Sequence, residues 1–107
     1  MSKPYIIAID FDDTICKGGF PDIKNGKIIE STCHKMWQQI DKNPDTVFVL
    51  WTCRDDEVLK DAIGFIKENA LPIFFFNENH PSTNEWLLGG KTKIFAHEYW
   101  DDRAVKI

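Results

Sequence analysis

The chain of 107 residues has few cysteines, Cys16, Cys33 and Cys53. They are odd in number and lack paired CxxC spacing, which argues against a disulfide framework and against a zinc site. A reducing cytoplasm is the expected compartment. Long apolar runs are also missing. No stretch approaches the roughly 20 apolar residues a membrane helix needs, and Met1-Ser2-Lys3-Pro4 leads into a short apolar run without the core of a signal peptide. Positive charge is in deficit. A formal net charge of -4 gives no broad basic face to displace counterions from a nucleic-acid backbone, so general nucleic-acid binding is not expected. Low-complexity segments and internal repeats are absent too.

What is present is the balance of an ordinary globular chain, 43% hydrophobic and 28% charged. At this length one hydrophobic core forms and a second does not, which predicts a single domain over residues 1–107.

Tyr5 to Ile9 is a continuous apolar run rich in β-branched residues, the pattern of a strand buried on both faces. It ends in acid at Asp10. Gly18-Gly19, Pro21 and Asn25-Gly26 supply turn chemistry, so residues 15–26 read as a flap loop. Ile29, Cys33, Met36, Trp37 and Ile40 form a stripe at helical spacing, predicting a helix from about Lys27 to Asp41. Asn43-Pro44-Asp45 breaks it, and Val47 to Trp51 reads as a second buried strand. Asp55, Asp56 and Glu57 suit the positive first turn of a helix running to about Asn69, with Val58, Leu59, Ala62, Ile63 and Ile66 as its stripe. Ile73 to Phe76 is a third strand. A turn-rich stretch from Asn77 to Asn84, a short helical piece near Glu85 to Leu88, and a fourth strand over about Ile94 to Trp100 follow.

Strands alternating with helices predict an α/β fold: a three-layer, Rossmann-like parallel sheet with helices on both faces and no separate cap domain. In such sheets ligands sit at the carboxyl ends of the strands. Three of the predicted strands end in residues suited to chemistry: Asp10 and Asp12 after the first, Thr52 after the second, Asp101 and Asp102 after the last. A lone acid at a loop start is ordinarily a solvated turn former or a helix cap. The recurrence at strand ends favours a site instead, because carboxylates converging from separate strands make a hard oxygen site for Mg²⁺.

At this point the sequence resembles the haloacid dehalogenase-like superfamily, in its small uncapped form. That family's Asp-x-Asp-x-Thr signature is matched by Asp10-Phe11-Asp12-Asp13-Thr14, its second motif by Leu50-Trp51-Thr52, and its late acidic pair by Trp100-Asp101-Asp102-Arg103. The resemblance implies a Mg²⁺-dependent phosphatase in which Asp10 is the nucleophile and forms an aspartyl-phosphate. It makes Asp12 the general acid and then the general base; members specialised for dehalogenation lack a carboxylate there. Thr52 would donate its hydroxyl to the phosphoryl group. A lysine would neutralise charge, Lys93 being the choice and Lys91 the next. The metal would be held by Asp10, the backbone carbonyl of Asp12, and the pair Asp101 and Asp102, with Asp102 as the direct ligand. Asp13 stands where Gly is frequent, and Asp tolerates unusual backbone angles.

Arg54 and Arg103 flank the motifs. Arg54 is carried as a candidate substrate contact, although pairing with Asp55, Asp56 or Asp101 is the commoner fate of such a residue. Cys53 has no histidine beside it and reads as a small buried hydrophobe; His34, His80 and His97 lack ligand spacing. Trp37, Trp51, Trp86 and Trp100 could stack on a base or sugar, with core packing the commoner role for Trp37 and Trp51. About thirty residues separate Thr14 from the second strand, too few for a cap, so the site should be open to a phosphorylated substrate that the sequence does not identify. Self-association is left open. The competing readings are a catalytically silent Mg²⁺ or phosphate-binding module, a polynucleotide-end phosphatase, and a phospho-accepting receiver domain. The last would need an acceptor after the third strand, where Phe74-Phe75-Phe76-Asn77 stands.

Overall fold

A computed structural model describes residues 3–20, 22–77 and 96–101. Along the chain come β1 (Tyr5–Ile9), β2 (Cys16–Lys17), a 3-10 turn (Ile23–Asn25), β3 (Lys27–Ile28), α1 (Glu30–Lys42), β4 (Thr46–Leu50), α2 (Asp56–Glu68), β5 (Ile73–Phe76) and β6 (Glu98–Trp100). The main sheet has the order β5-β4-β1-β6 with every pairing parallel. This is the α/β, Rossmann-like parallel sheet that the apolar runs predict, but both described helices lie on one face of it rather than on both as expected.

β1 and β4 pair residue for residue, Tyr5 with Thr46 through to Ile9 with Leu50. Both strands are interior to the sheet, which is why their sequences are apolar on both faces rather than alternating. On one face Ile7, Ile9, Phe48 and Leu50 pack with Met36 of α1 and with Ala62 and Ile66 of α2. Each large side chain buried there contributes about 1.5–3 kcal/mol. The helices share this face because β1, β4 and β5 step in one direction, and right-handed crossovers then fall on one side. The opposite face carries a second buried cluster of Ile6, Ala8 and Val49, with Val47, Phe75 and Ala96 against it. The expected helix at Glu85–Leu88 and the start of the last strand at Ile94 lie outside the described residues.

The flap is more ordered than a loop reading suggests. β2 and β3 form an antiparallel ribbon, Cys16 opposite Ile28 and Lys17 opposite Lys27. That pairing also delays α1, which starts at Glu30 rather than Lys27. At the closing end of the ribbon the backbones of Gly19 and Gly26 meet over Cys16. A Cβ on Gly26 would lie 2.5 Å from Cys16 Sγ and 3.0 Å from Gly19 Cα, so no side chain fits. Between β1 and β4, therefore, the described chain consists of this ribbon and α1.

Two tryptophans depart from the expected core role. Trp37 lies at the rim of the α1 stripe and is 47% exposed; Trp51 lies one residue past the buried end of β4 and is 44% exposed. Met36 and Leu50 take the buried positions beside them. Cys53 is likewise exposed, and the buried cysteine is Cys16.

Candidate active site

The parallel register brings the strand-end residues to one edge. Ile9 pairs with Leu50 on one side and with Trp100 on the other, so the next residues, Asp10, Trp51 and Asp101, stand side by side. The ladder continues one step past the strands: Asp10 N donates to Trp100 O at 2.9 Å, and Trp51 N donates to Ile9 O at 2.9 Å. Adjacent parallel strands are about 4.8 Å apart, which places Asp10 and Asp101 as neighbours across a single strand gap.

Past Asp10 the chain turns sharply. Phe11 O accepts from Thr14 N, Ile15 N and Cys16 N at 3.2, 2.8 and 3.1 Å. Asp13 sits in the left-handed region at φ 64°, an angle at which Asp is tolerated and Gly is favoured. Phe11 is buried in the core beneath this turn, fixing the loop to the sheet. Thr14 is buried, and among the described residues its hydroxyl has no hydrogen-bond partner.

Asp12 is gripped by Arg54. Arg54 Nε donates to Asp12 Oδ2 at 2.8 Å and Nη2 donates to Oδ1 at 2.8 Å, a two-point fork. Nη2 also donates to Gly19 O at 2.9 Å and Nη1 to Val58 O at 3.1 Å. The guanidinium lies over the rings of Phe11 and Phe20, 4.8 and 5.2 Å from their centroids. Arg54 is 3% exposed, and burial of an arginine is tolerated here because its donors are matched to fixed acceptors. The bond to Asp12 holds the guanidinium above its ordinary pKa against the opposing cost of burial. This corrects two expectations: Arg54 is not aimed at a substrate phosphate, and its partner is Asp12 rather than Asp55, Asp56 or Asp101. Four of its five N–H donors are taken within the protein.

Thr52 follows Trp51 at the same edge. Its Oγ1 accepts from Arg54 N at 3.2 Å, closing a tight turn, while its backbone N–H donates to Asn77 Oδ1 at 2.8 Å. Thr52 is not the cap of α2; Asp55 occupies that position, with Asp56 and Glu57 in the first turn as the charge pattern predicts. Asn77 is a site residue that sequence reasoning passed over. It follows β5, takes φ 51°, and its side chain ties both Thr52 N and, through Nδ2 at 3.1 Å, Arg54 O. The available signal was an Asn directly after an apolar strand, a residue that accepts left-handed angles and bonds nearby backbone.

Of the remaining site candidates, Lys91, Lys93, Asp102 and Arg103 lie outside the described residues. The register sets Asp10 and Asp101 side by side at the edge, and no group of three or more His, Cys, Asp or Glu residues able to hold a metal occurs among the described residues. The donor chemistry nonetheless fits Mg²⁺, which takes one or two carboxylates and completes its shell with water and substrate oxygens. Cys16, in β2 of the flap, is fully buried, and burial first and the Asp12 charge next push its thiol up, the surroundings of a packing residue rather than of a nucleophile.

The described helices include none long and apolar enough to cross a membrane. No protein-family model matches this chain, and no curated protein matches it. Among solved structures it is similar to a conserved protein from Bacteroides thetaiotaomicron, with 27% identity over 96% of this chain and 79% of that one, at a TM-score of 0.73. The class that fold and register define is therefore an α/β protein built on a four-stranded parallel sheet with an acidic carboxyl edge.

Proposed function

We propose that this chain is a Mg²⁺-dependent phosphomonoesterase that works through an aspartyl-phosphate on Asp10. The observation that carries the reading is the register itself, which sets Asp10 between Trp51-Thr52 and Asp101 at the ligand-binding end of a parallel sheet. The resemblance to the haloacid dehalogenase-like superfamily agrees with that placement.

Asp10 attacks phosphorus, and Asp12, two residues on, serves the leaving oxygen and later the attacking water. The Arg54 fork fixes where the Asp12 carboxylate stands, and Asn77 fixes the turn that presents the Thr52 hydroxyl. Asp10 and Asp101 would hold Mg²⁺, with Asp102 from the same acidic pair and the backbone carbonyl of Asp12. The cation would offset charge on the phosphoryl group. Lys93 completes the set by resemblance. The ribbon and α1 leave the edge uncapped on the β1-to-β4 side, and the cytoplasm suits a chain with the exposed thiol of Cys53.

One observation favours the competing reading of a silent Mg²⁺ or phosphate-binding module: both oxygens of Asp12 accept from Arg54. Turnover separates the two. Release of phosphate from p-nitrophenyl phosphate should require Mg²⁺, and Asp10→Asn should lower it by about a thousandfold or more while the circular dichroism spectrum is kept. Undiminished activity in that variant would sink the mechanism. Magnesium binding without turnover would establish the silent module.

A further inference from the structure

The face of β1 that bears Ala8 leads directly to Asp10, two residues further along the strand. Val49 and Tyr99 are the register partners of Ala8 on its two sides. Trp51, two residues after Val49, meets Tyr99 across β1 with ring centroids 5.5 Å apart and planes at 69°. Ala8 is fully buried and has the smallest side chain of its neighbours, which leaves room for the two rings to close over the strand. Yet Trp51 is 44% and Tyr99 39% exposed. Two large rings are thus held in a fixed edge-to-face pair and presented to solvent at the ligand-binding end of the sheet.

We infer that this pair is a stacking platform for the leaving group, so that the substrate is a small phosphate monoester carrying a planar ring. The inference rests on the phosphomonoesterase reading above. A ring stacks on a ring with an affinity that aliphatic sugars do not match, and a leaving group attached to phosphorus at Asp10 lies within reach of the neighbouring strand ends. A polynucleotide chain is disfavoured, because the described residues at this end of the sheet, Asp10, Asp12, Asp13, Asp55, Asp56 and Asp101 among them, offer no basic track for successive phosphates. The substrate chemistry is shared by nucleoside monophosphates and aryl phosphates. In either case the P–O ester bond breaks as an Asp10 carboxylate oxygen bonds to phosphorus. The ester oxygen takes a proton and departs with the ring, and water then releases inorganic phosphate from Asp10.

The test measures phosphate release with Mg²⁺ from AMP, UMP, free phosphotyrosine and ribose 5-phosphate. The expected result is a kcat/KM about tenfold or more higher for a ring-bearing substrate than for ribose 5-phosphate, the nucleotide and phosphotyrosine arms deciding which ring is natural. Trp51→Ala should collapse that ratio towards one, mainly through KM, and Trp51→Phe should keep most of it. Equal kcat/KM with and without the ring, or a ratio that Trp51→Ala does not move, overturns the platform while leaving the phosphatase reading standing. If neither these four nor p-nitrophenyl phosphate is hydrolysed, the phosphatase reading fails. Calorimetric titrations with AMP and ribose 5-phosphate then decide: ring-dependent binding weakened about tenfold in Trp51→Ala supports the platform, and its absence overturns it. Should Trp51→Ala not fold by circular dichroism, Tyr99→Ala carries the same comparison.

Discussion

Asp12 and Arg54 form a part-buried pair that holds the loop after β1 to the turn after β4 and, in the proposed mechanism, fixes where the acid stands. Removing either leaves the other's charge without its match, and Arg54 has almost no water to fall back on. Arg54→Met should therefore cost about 2–4 kcal/mol in urea denaturation, less than a fully buried pair because Asp12 is one-third exposed. Asp12→Asn should also destabilise the fold, and the double variant should cost less than the sum of the two, a coupling that a double-mutant cycle reads directly. Additive effects would mean that the fork seen between them contributes nothing. None of this pairing was legible in the sequence, because 42 positions separate the partners and the closer acids, Asp55 and Asp56, looked equally able to take the arginine. The strand-end acids were legible, since each interrupts an apolar run whose burial is unambiguous. Trp37 and Trp51 misled for a related reason: each continues an apolar pattern by one position beyond where the core ends.

Among the elements, the strands and both helices were readable because their burial pattern is long enough to repeat. β2 and β3 were not, being two residues each, with no alternation to detect. The ribbon's closure depends on two glycines in contact, so Gly26→Ala should loosen it by about 1–3 kcal/mol, measured as faster amide exchange at Ile28 together with a lower denaturation midpoint. Asn77 acts between elements, linking the end of β5 to the turn after β4. Asn77→Ala should lose about 1–2 kcal/mol and lower kcat more than KM, because Thr52 would no longer be fixed; Asn77→Asp keeps the acceptor for Thr52 N and should recover part of the loss. At the other end of β1, the Tyr5 hydroxyl donates to Glu98 at 2.5 Å. That bond, then burial, then the Glu98 charge raise the phenol above its ordinary value of 10.0. The unfolded chain releases this proton first, so the contribution is fully present below pH 10 and is lost as pH rises through the higher folded value. Stability measured against pH above 10 should fall less steeply in Tyr5→Phe than in the native chain.

For the whole molecule, the proposed metal makes stability depend on its concentration. Mg²⁺ held between the carboxylates that follow β1 and β6 would bind the folded state and not the unfolded one, so at millimolar levels it should raise the thermal midpoint and EDTA should reverse the rise. Asp10→Asn and Asp101→Asn should each blunt the response. A midpoint indifferent to Mg²⁺ in the native protein would remove the metal from the proposal. The parallel sheet was foreseeable at this scale because alternation of strand and helix leaves few topologies, whereas the exposed rings at the carboxyl edge depend on register, which no single run of residues encodes.

The strand order carries a consequence for biosynthesis. β1 leaves the ribosome well before its neighbour β6, which is made some ninety residues later, as the hydrogen bond from Ile6 N to His97 Nδ1 at a separation of 91 shows. Until then β1 has an unfilled edge and Asp10 lacks Asp101 beside it. A nascent chain can thus collapse around β1, β4 and the helices while still unable to assemble the site, and its open strand is the surface most exposed to mispairing in that interval. Completion of the site coincides with closure of the sheet.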